Sequence, residues 1–204
     1  MKVRALAALF TVFCSLSFVW ALPAQAASHS GCVDAGHGGT DPGAVYKSLE
    51  EKNVTLDIAM RLQTLLQNAG YTVVMTRTGD TTLDNSQRAA ICNNAHAEVL
   101  TSIHLNASTN HTVDYTLGLY GKISKDQAFA TKVNTAMSGL GIANNGISRF
   151  ADGMLLKAVM PATLAETVFL SSDYEYGLLT NGTENRQQQI AQLLLQGINS
   201  WFGV

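Results

Sequence analysis

The sequence predicts a single α/β domain: a mostly parallel sheet of about six strands flanked by helices. Short apolar runs alternate with segments of helical period through most of the 204 residues, the pattern of a layered α/β architecture. Glycines punctuate the ends of several of these segments. No low-complexity linker, internal repeat or Pro/Gly/Ser-rich stretch divides residues 31–204, so one domain is expected over residues 27–204.

Residues 1–26 are set apart as a secretory leader. Lys2 and Arg4 give a positive start, residues 5–20 are almost wholly apolar, and Ala24-Gln25-Ala26 offers a small-residue cleavage site, the order of a signal peptide. The apolar run is short for a membrane span, so no transmembrane span is expected in the mature chain. Removing the leader takes Lys2 and Arg4 with it and leaves 11 Lys+Arg against 15 Asp+Glu. That mildly acidic balance argues against nucleic acid or anionic lipid as the main partner. Export also permits a bridge between the two remaining cysteines, Cys32 and Cys92; the alternative is two small buried thiols.

Within the domain, residues 32–35 form a brief strand that ends in the turn Gly36-His37-Gly38-Gly39. Val54, Ile58, Leu62, Leu65 and Leu66 recur on one helical face, and Asn68-Ala69-Gly70 closes that helix on a glycine. Residues 71–76 follow as a β-branched strand, Asp84 caps a helix running to about residue 95, and residues 98–103 form a strand delivering His104 at its end. A strand over 116–120, a helix over 125–140 and two strands over 154–159 and 163–169 continue the alternation. Ile190, Leu193, Leu194 and Ile198 give the last helix an apolar stripe, with Trp201 and Phe202 packing its end. Ligands of open α/β sheets gather where strands end, and His37 and His104 both occupy such positions.

The chemistry rests on four side chains. His37 is flanked by glycines, which let the backbone turn sharply and keep the imidazole reachable. Glu51 opens the first long helix, where the helix dipole favours a carboxylate. His104 leaves the sheet edge in Ser102-Ile103-His104-Leu105-Asn106. Two imidazoles and a carboxylate suit zinc better than magnesium or calcium, although one His after a strand is by itself more often structural. Glu166 lies in the apolar run Leu164-Ala165-Glu166-Thr167-Val168-Phe169-Leu170, where a charge is costly unless functional or paired. It is either a general acid/base beside the metal or half of an ion pair with a Lys or Arg. Asp34 either orients an imidazole from behind or ties down the turn. Arg88 is expected in a structural pair, and His96 and His111 are not expected as ligands. No Gly-x-Ser-x-Gly elbow is present, which weakens a serine-hydrolase reading.

Four motifs in order, Val33-Asp34-Ala35-Gly36-His37-Gly38-Gly39, Glu51-Lys52-Asn53, Ser102-Ile103-His104-Leu105-Asn106-Ala107 and Glu166-Thr167-Val168-Phe169-Leu170-Ser171-Ser172, resemble those of zinc-dependent N-acetylmuramoyl-L-alanine amidases of the amidase type 3 family. Ala35 and Leu105 stand where those motifs commonly carry Pro and Ala. The resemblance spans residues 32–202 and implies a twisted α/β sheet domain with one zinc ion held by His37, Glu51 and His104. It implies Glu166 as the catalytic acid/base, and Asn106 as a residue that orients its loop or touches substrate. The implied reaction cuts the amide between the lactyl group of muramic acid and the L-alanine of the stem peptide. Peptidoglycan or a muropeptide is then the expected partner of an exported, monomeric enzyme in the periplasm or outside the cell. Some relatives carry an inhibitory helix after the second His motif; the dozen or so residues available here predict none. The rival readings are a zinc peptidase acting within the stem peptide and a catalytically silent wall-binding module, the latter expected to lose one of the four residues this chain retains.

Overall fold

The computed structural model describes residues 29–182 and 185–204; the expected leader over residues 1–26 lies outside the described residues. The chain runs β1 (Ser30–Ala35), β2 (Val45–Tyr46), β3 (Leu49–Glu50), α1 (Glu51–Asn68), β4 (Thr72–Met75), α2 (Asn85–Asn94), β5 (Val99–Asn106) and β6 (Tyr115–Tyr120). It continues with α3 (Ile123–Met137), a 3-10 turn (Ser138–Leu140), β7 (Ala143–Arg149), α4 (Gly153–Lys157), β8 (Ala162–Phe169), α5 (Asp173–Thr180) and α6 (Arg186–Phe202). Six strands form one sheet in the order β4-β1-β5-β8-β6-β7, while β2 and β3 make a separate small hairpin. Only the β6–β8 pair in the large sheet is antiparallel. The expected sheet of six strands is therefore present.

Side chains alternate across a strand, so each central strand feeds two cores. Val33 and Ala35 of β1, Val99 and Ile103 of β5, and Ala165 of β8 face a large core completed by α1, α3 and α6. Its helical side includes Val54, Ile58, Leu62 and Leu66 in the row foreseen from their spacing. The opposite face takes Cys32, Leu100, Ala162 and Leu164 under α2 and α4. Asp34, Ser102, His104 and Glu166 keep the same even-numbered alternation as this second set. The polar groups thus emerge on the thinly covered face, near the carboxyl ends of the parallel strands.

Three expectations need correction. Residues 154–159 are not a strand: α4 occupies Gly153–Lys157, and the Asp152 side chain caps it by accepting from the Met154 and Leu155 amides. Met154, Leu155, Leu156 and Lys157 are unbranched at Cβ and favour a helix once capped. The helix expected over 125–140 divides into α3 and the 3-10 turn, which Gly141 ends in the left-handed region at φ 76°. The sixth strand is instead β7, whose Asn- and Gly-containing sequence carries little β signal. The bridge that the sequence left open is formed: Cys32 and Cys92 are disulfide-bonded with Cα atoms 5.6 Å apart, joining β1 to α2. No described helix is long and apolar enough to cross a membrane.

Candidate metal centre and cleft

The glycine turn after β1 carries His37 in the left-handed region at φ 59°, with Gly38 and Gly39 also at positive φ. A non-glycine residue pays a conformational cost there, and the surroundings hold it in place. Gly38 and Asp41 exchange backbone hydrogen bonds of 2.9 and 3.1 Å. Arg88 donates to the His37 carbonyl at 2.7 Å. Beyond them, Asp80 accepts from the Gly39 amide at 2.6 Å and from Lys52 Nζ at 3.0 Å.

Glu51 is the first residue of α1 and is 3% exposed. Its Oε2 accepts from the Ala44 amide at 2.9 Å, and its Oε1 accepts from the Leu105 amide at 2.9 Å. His37 Nε2 and His104 Nδ1 each stand 3.1 Å from that same Oε1. The three donor atoms lie within 4.8 Å of one another, and this is the one such group among the described residues. Two glycines make the convergence possible. A Cβ on Gly36 would stand 2.4 Å from His104 Nε2, and one on Gly43 would stand 2.6 Å from both Glu51 Oε2 and His37 Cδ2.

The charges are mutually dependent. Burial opposes the charged form of Glu51, but hydrogen bonds and attraction from His104 and His37 hold its carboxyl far below the usual range. Burial opposes a charge on His37 too, yet the Glu51 and Asp41 carboxylates outweigh it and raise the pKa to about 9. Asp41, which sequence reasoning did not single out, holds His37 Nδ1 at 2.8 Å and leaves Nε2 facing Glu51. Its place four residues after a candidate ligand, in a turn closed by Pro42-Gly43, was the available signal.

Glu166 is brought to the same site by strand register: His104 on β5 is the parallel partner of Glu166 on β8. No Lys or Arg pairs with it, and its buried Oε2 has no hydrogen-bond partner among the described residues. Burial pushes its carboxyl up; His104 and His37 pull against this, Glu51 adds to it, and the net shift is upward. Asp34, by contrast, does not touch an imidazole. It accepts from Thr76 at 2.6 Å, Arg88 at 2.8 Å and Ser102 at 2.6 Å. Burial works against its charge, but Arg88 and the two hydroxyls hold its pKa down. Of its two readings, tying down the turn is the one realised, and Arg88 is its structural partner.

These groups open onto a cleft of about 490 Å³ whose lining includes Asn106, Leu83, Phe150 and Met154. The Asn106 side chain accepts from the Ala107 amide at 2.8 Å, and residues 107–114 continue as an irregular loop without a helix. Leu105 is buried, contributing its amide to Glu51. His96 follows the Ala95 cap of α2, and His111 bonds the Ser171 carbonyl at 2.8 Å; neither joins the cluster. The β2–β3 hairpin that leads into Glu51 is fastened to α5, where Asp173 accepts from Tyr46 Oη at 2.7 Å and Lys47 Nζ at 2.6 Å.

Comparisons with known proteins bear on the family and the fold. The family model described as N-acetylmuramoyl-L-alanine amidase matches residues 32–200. A germination-specific N-acetylmuramoyl-L-alanine amidase of Bacillus subtilis (strain 168) is 33% identical over 187 residues, covering 83% of this chain and 78% of that protein. The catalytic domain of CwlV, an N-acetylmuramoyl-L-alanine amidase from Bacillus (Paenibacillus) polymyxa var. colistinus, is similar with a TM-score of 0.80 and 31% identity, over 86% of this chain and 99% of that one. The CwlD amidase of Clostridioides difficile, solved in complex with the GerS lipoprotein, gives a TM-score of 0.80 at 28% identity over 86% and 99% of the two chains.

Proposed function

This chain belongs to the N-acetylmuramoyl-L-alanine amidase family, and on that premise we propose that it hydrolyses the amide between the lactyl group of N-acetylmuramic acid and the L-alanine of the stem peptide, using one zinc ion and Glu166. The observation that carries the reading is a carboxylate with one buried, unpartnered oxygen, on the strand beside a His-Glu-His cluster. A buried acid with no cation to neutralise it is hard to explain as a structural group.

The donor set fits zinc. Two imidazole nitrogens and a carboxylate oxygen converge, and Asp41 orients one ring from behind, as carboxylates bonded to the far nitrogen of a ligating histidine do in zinc sites. His37, Glu51 and His104 would hold the ion. When bound, zinc supplies Lewis acidity toward the scissile carbonyl and makes a nearby water more acidic. The Glu166 carboxylate, which lines the cleft, takes a proton from the attacking water and returns it to the departing alanine nitrogen. Its raised pKa, set first by burial, suits a group that must both accept and release that proton. Asn106, at the cleft lining, holds its own loop through the Ala107 amide and is available to touch substrate. The same reading has residues 1–26 as a secretory leader and 27–204 as the catalytic domain of an exported, monomeric enzyme.

Glu166→Gln should keep its zinc and lose roughly 10²- to 10⁴-fold in turnover, whereas His37→Ala should lose metal and activity together. Metal analysis and mass analysis of digested peptidoglycan read both outcomes. An amidase frees peptides with L-alanine at the amino terminus from intact glycan. Normal turnover by Glu166→Gln refutes the role of the acid, and cleavage inside the stem peptide refutes the choice of bond.

A further inference from the structure

Four of the eight large apolar side chains that are exposed among the described residues gather on one patch: Ile123, Phe150, Leu156 and Val159, from 47% to 62% exposed. They come from three places in the chain. The Phe150 amide donates to the Tyr120 carbonyl at 2.8 Å, which sets it beside the turn that opens α3 at Ile123. Leu156 Cδ2 lies 3.4 Å from where a side chain on Gly121 would begin. Lys125 Nζ donates to the Val159 carbonyl at 3.1 Å.

Cations surround these apolar groups. The side chains of Lys125, Lys157 and Arg149 donate to neutral oxygens, namely the Val159 carbonyl, the Ser86 hydroxyl and the Gly121 carbonyl. Among the described residues none of the three forms a salt bridge. Of the acids close by, Asp126 is buried against Lys122, whereas Asp152 caps α4 and accepts from Asn85, so its charge offsets one of the three cations and an excess of positive charge remains. A chain with 15 acidic and 13 basic residues therefore concentrates unmatched positive charge around exposed aliphatic groups.

We propose that this patch docks on an anionic lipid bilayer. Ile123, Leu156, Val159 and Phe150 enter the headgroup region, and Lys125, Lys157 and Arg149 engage lipid phosphates around them. Branched aliphatic tips offer nothing to sugar hydroxyls. Long cationic side chains circling an apolar centre suit an interface that is apolar inside and negatively charged at its surface. The acidic balance of the whole chain argued against anionic lipid, but a local patch is felt within about one Debye length, roughly 8 Å at physiological salt. Phe150 also lines the cleft, so docking would turn the site toward material next to the membrane.

The test uses protein expressed from the full chain and verified by mass to start after residue 26, mixed with vesicles of phosphatidylcholine with or without phosphatidylglycerol. Co-sedimentation should show binding that needs phosphatidylglycerol and weakens with salt. Lys125→Gln with Lys157→Gln should lower partitioning by about 25-fold, near fivefold per charge. Leu156→Ser with Val159→Ser should lower it at least about tenfold. Unchanged thermal unfolding shows that a variant is folded, and the lysine pair, being exposed, decides the matter if the serine pair is not. Absence of binding, equal binding to both vesicle types, or binding by the lysine variant equal to the parent's overturns the proposal, the first of these pointing to a protein partner instead. Vesicle binding requires no turnover, so it stands or falls separately from the amidase reading.

Discussion

Replacing both bridged cysteines, Cys32→Ala with Cys92→Ala, separates what holds the fold from what holds the site. The bridge closes a sequence separation of 60 residues. Loop-closure entropy for that length corresponds to about 4 kcal/mol of stabilisation through the unfolded chain. For a domain of this size each kcal/mol moves the melting temperature by roughly 2–4 °C, so the double variant should melt about 8–16 °C lower. The site should feel much less. Arg88 on α2 still reaches Asp34 at 2.8 Å, the Ala35 carbonyl at 2.7 Å and the His37 carbonyl at 2.7 Å, so α2 stays fastened to the glycine turn without the bridge. Zinc affinity at 25 °C, measured by competition with a chelator, should therefore stay within about threefold of the parent, well under the roughly tenfold or greater loss expected when a group that orients a ligand is removed. Thermal melts and metal titrations on the same samples give both readings. A melting temperature shifted by less than about 2 °C would refute the entropy argument, and a parallel collapse of metal affinity would show that the bridge, not Arg88, positions the turn.

Two further outcomes follow from the polar network. Asp41→Ala removes the hydrogen bond to His37 Nδ1 and should weaken zinc binding by about 10- to 100-fold with little loss of helicity; unchanged affinity would mean that the glycine turn alone orients the ring. In metal-free protein His37 has its pKa raised from 6.5 to about 9, so its contribution to stability is fully present below about pH 6.5 and is lost as pH rises toward 9. Denaturant titrations of chelator-treated parent and His37→Ala should thus differ most near pH 6.5 and converge above 9; a difference growing with pH would contradict the carboxylate pairing.

How far the sequence could be read depended on whether a feature is local. The face of α1, the Asp84 cap and the glycine turn are written in spacings of three or four residues, and all are present. The Asp84 cap is a full capping box with Gln87, a signal that the sequence alone contains. The convergence of His37, Glu51 and His104 became legible through the order of motifs rather than from any one residue. Residues 154–159 misled because Met154-Leu155-Leu156 is apolar enough for a buried strand, and length and periodicity do not separate that from a short capped helix. The role of Asp34 was undecidable locally, since its partners Thr76, Arg88 and Ser102 lie 42, 54 and 68 residues away. A register shift between β5 and β8, just after the His104–Glu166 pair, has no sequence signature at all.

That register explains why the site assembles from residues so distant in sequence. Ala35 pairs with Ile103 and the Gly36 amide donates to the Ile103 carbonyl at 3.1 Å, so Gly36 comes level with His104 on one side while Glu166 is level with it on the other. Residues level across neighbouring strands project from the same face. Gly36 contributes no side chain to that row, and the imidazole fills the space that a Cβ would take, 2.4 Å from Nε2. Leaning that way, the ring presents Nδ1 to Glu51 at 3.1 Å. Past the pair, the Thr167 hydroxyl donates to the His104 carbonyl at 3.0 Å where the strands fall out of step, the kind of irregularity that re-aims side chains beside active sites. A glycine just past one strand, a histidine on the next and an acid on the third thus form one row, and α1 adds Glu51 from the end of the sheet. The sheet sets the spacing between Glu166 and His104, which is why Glu166 can remain unpaired: no flexible loop is free to carry it to a cation elsewhere.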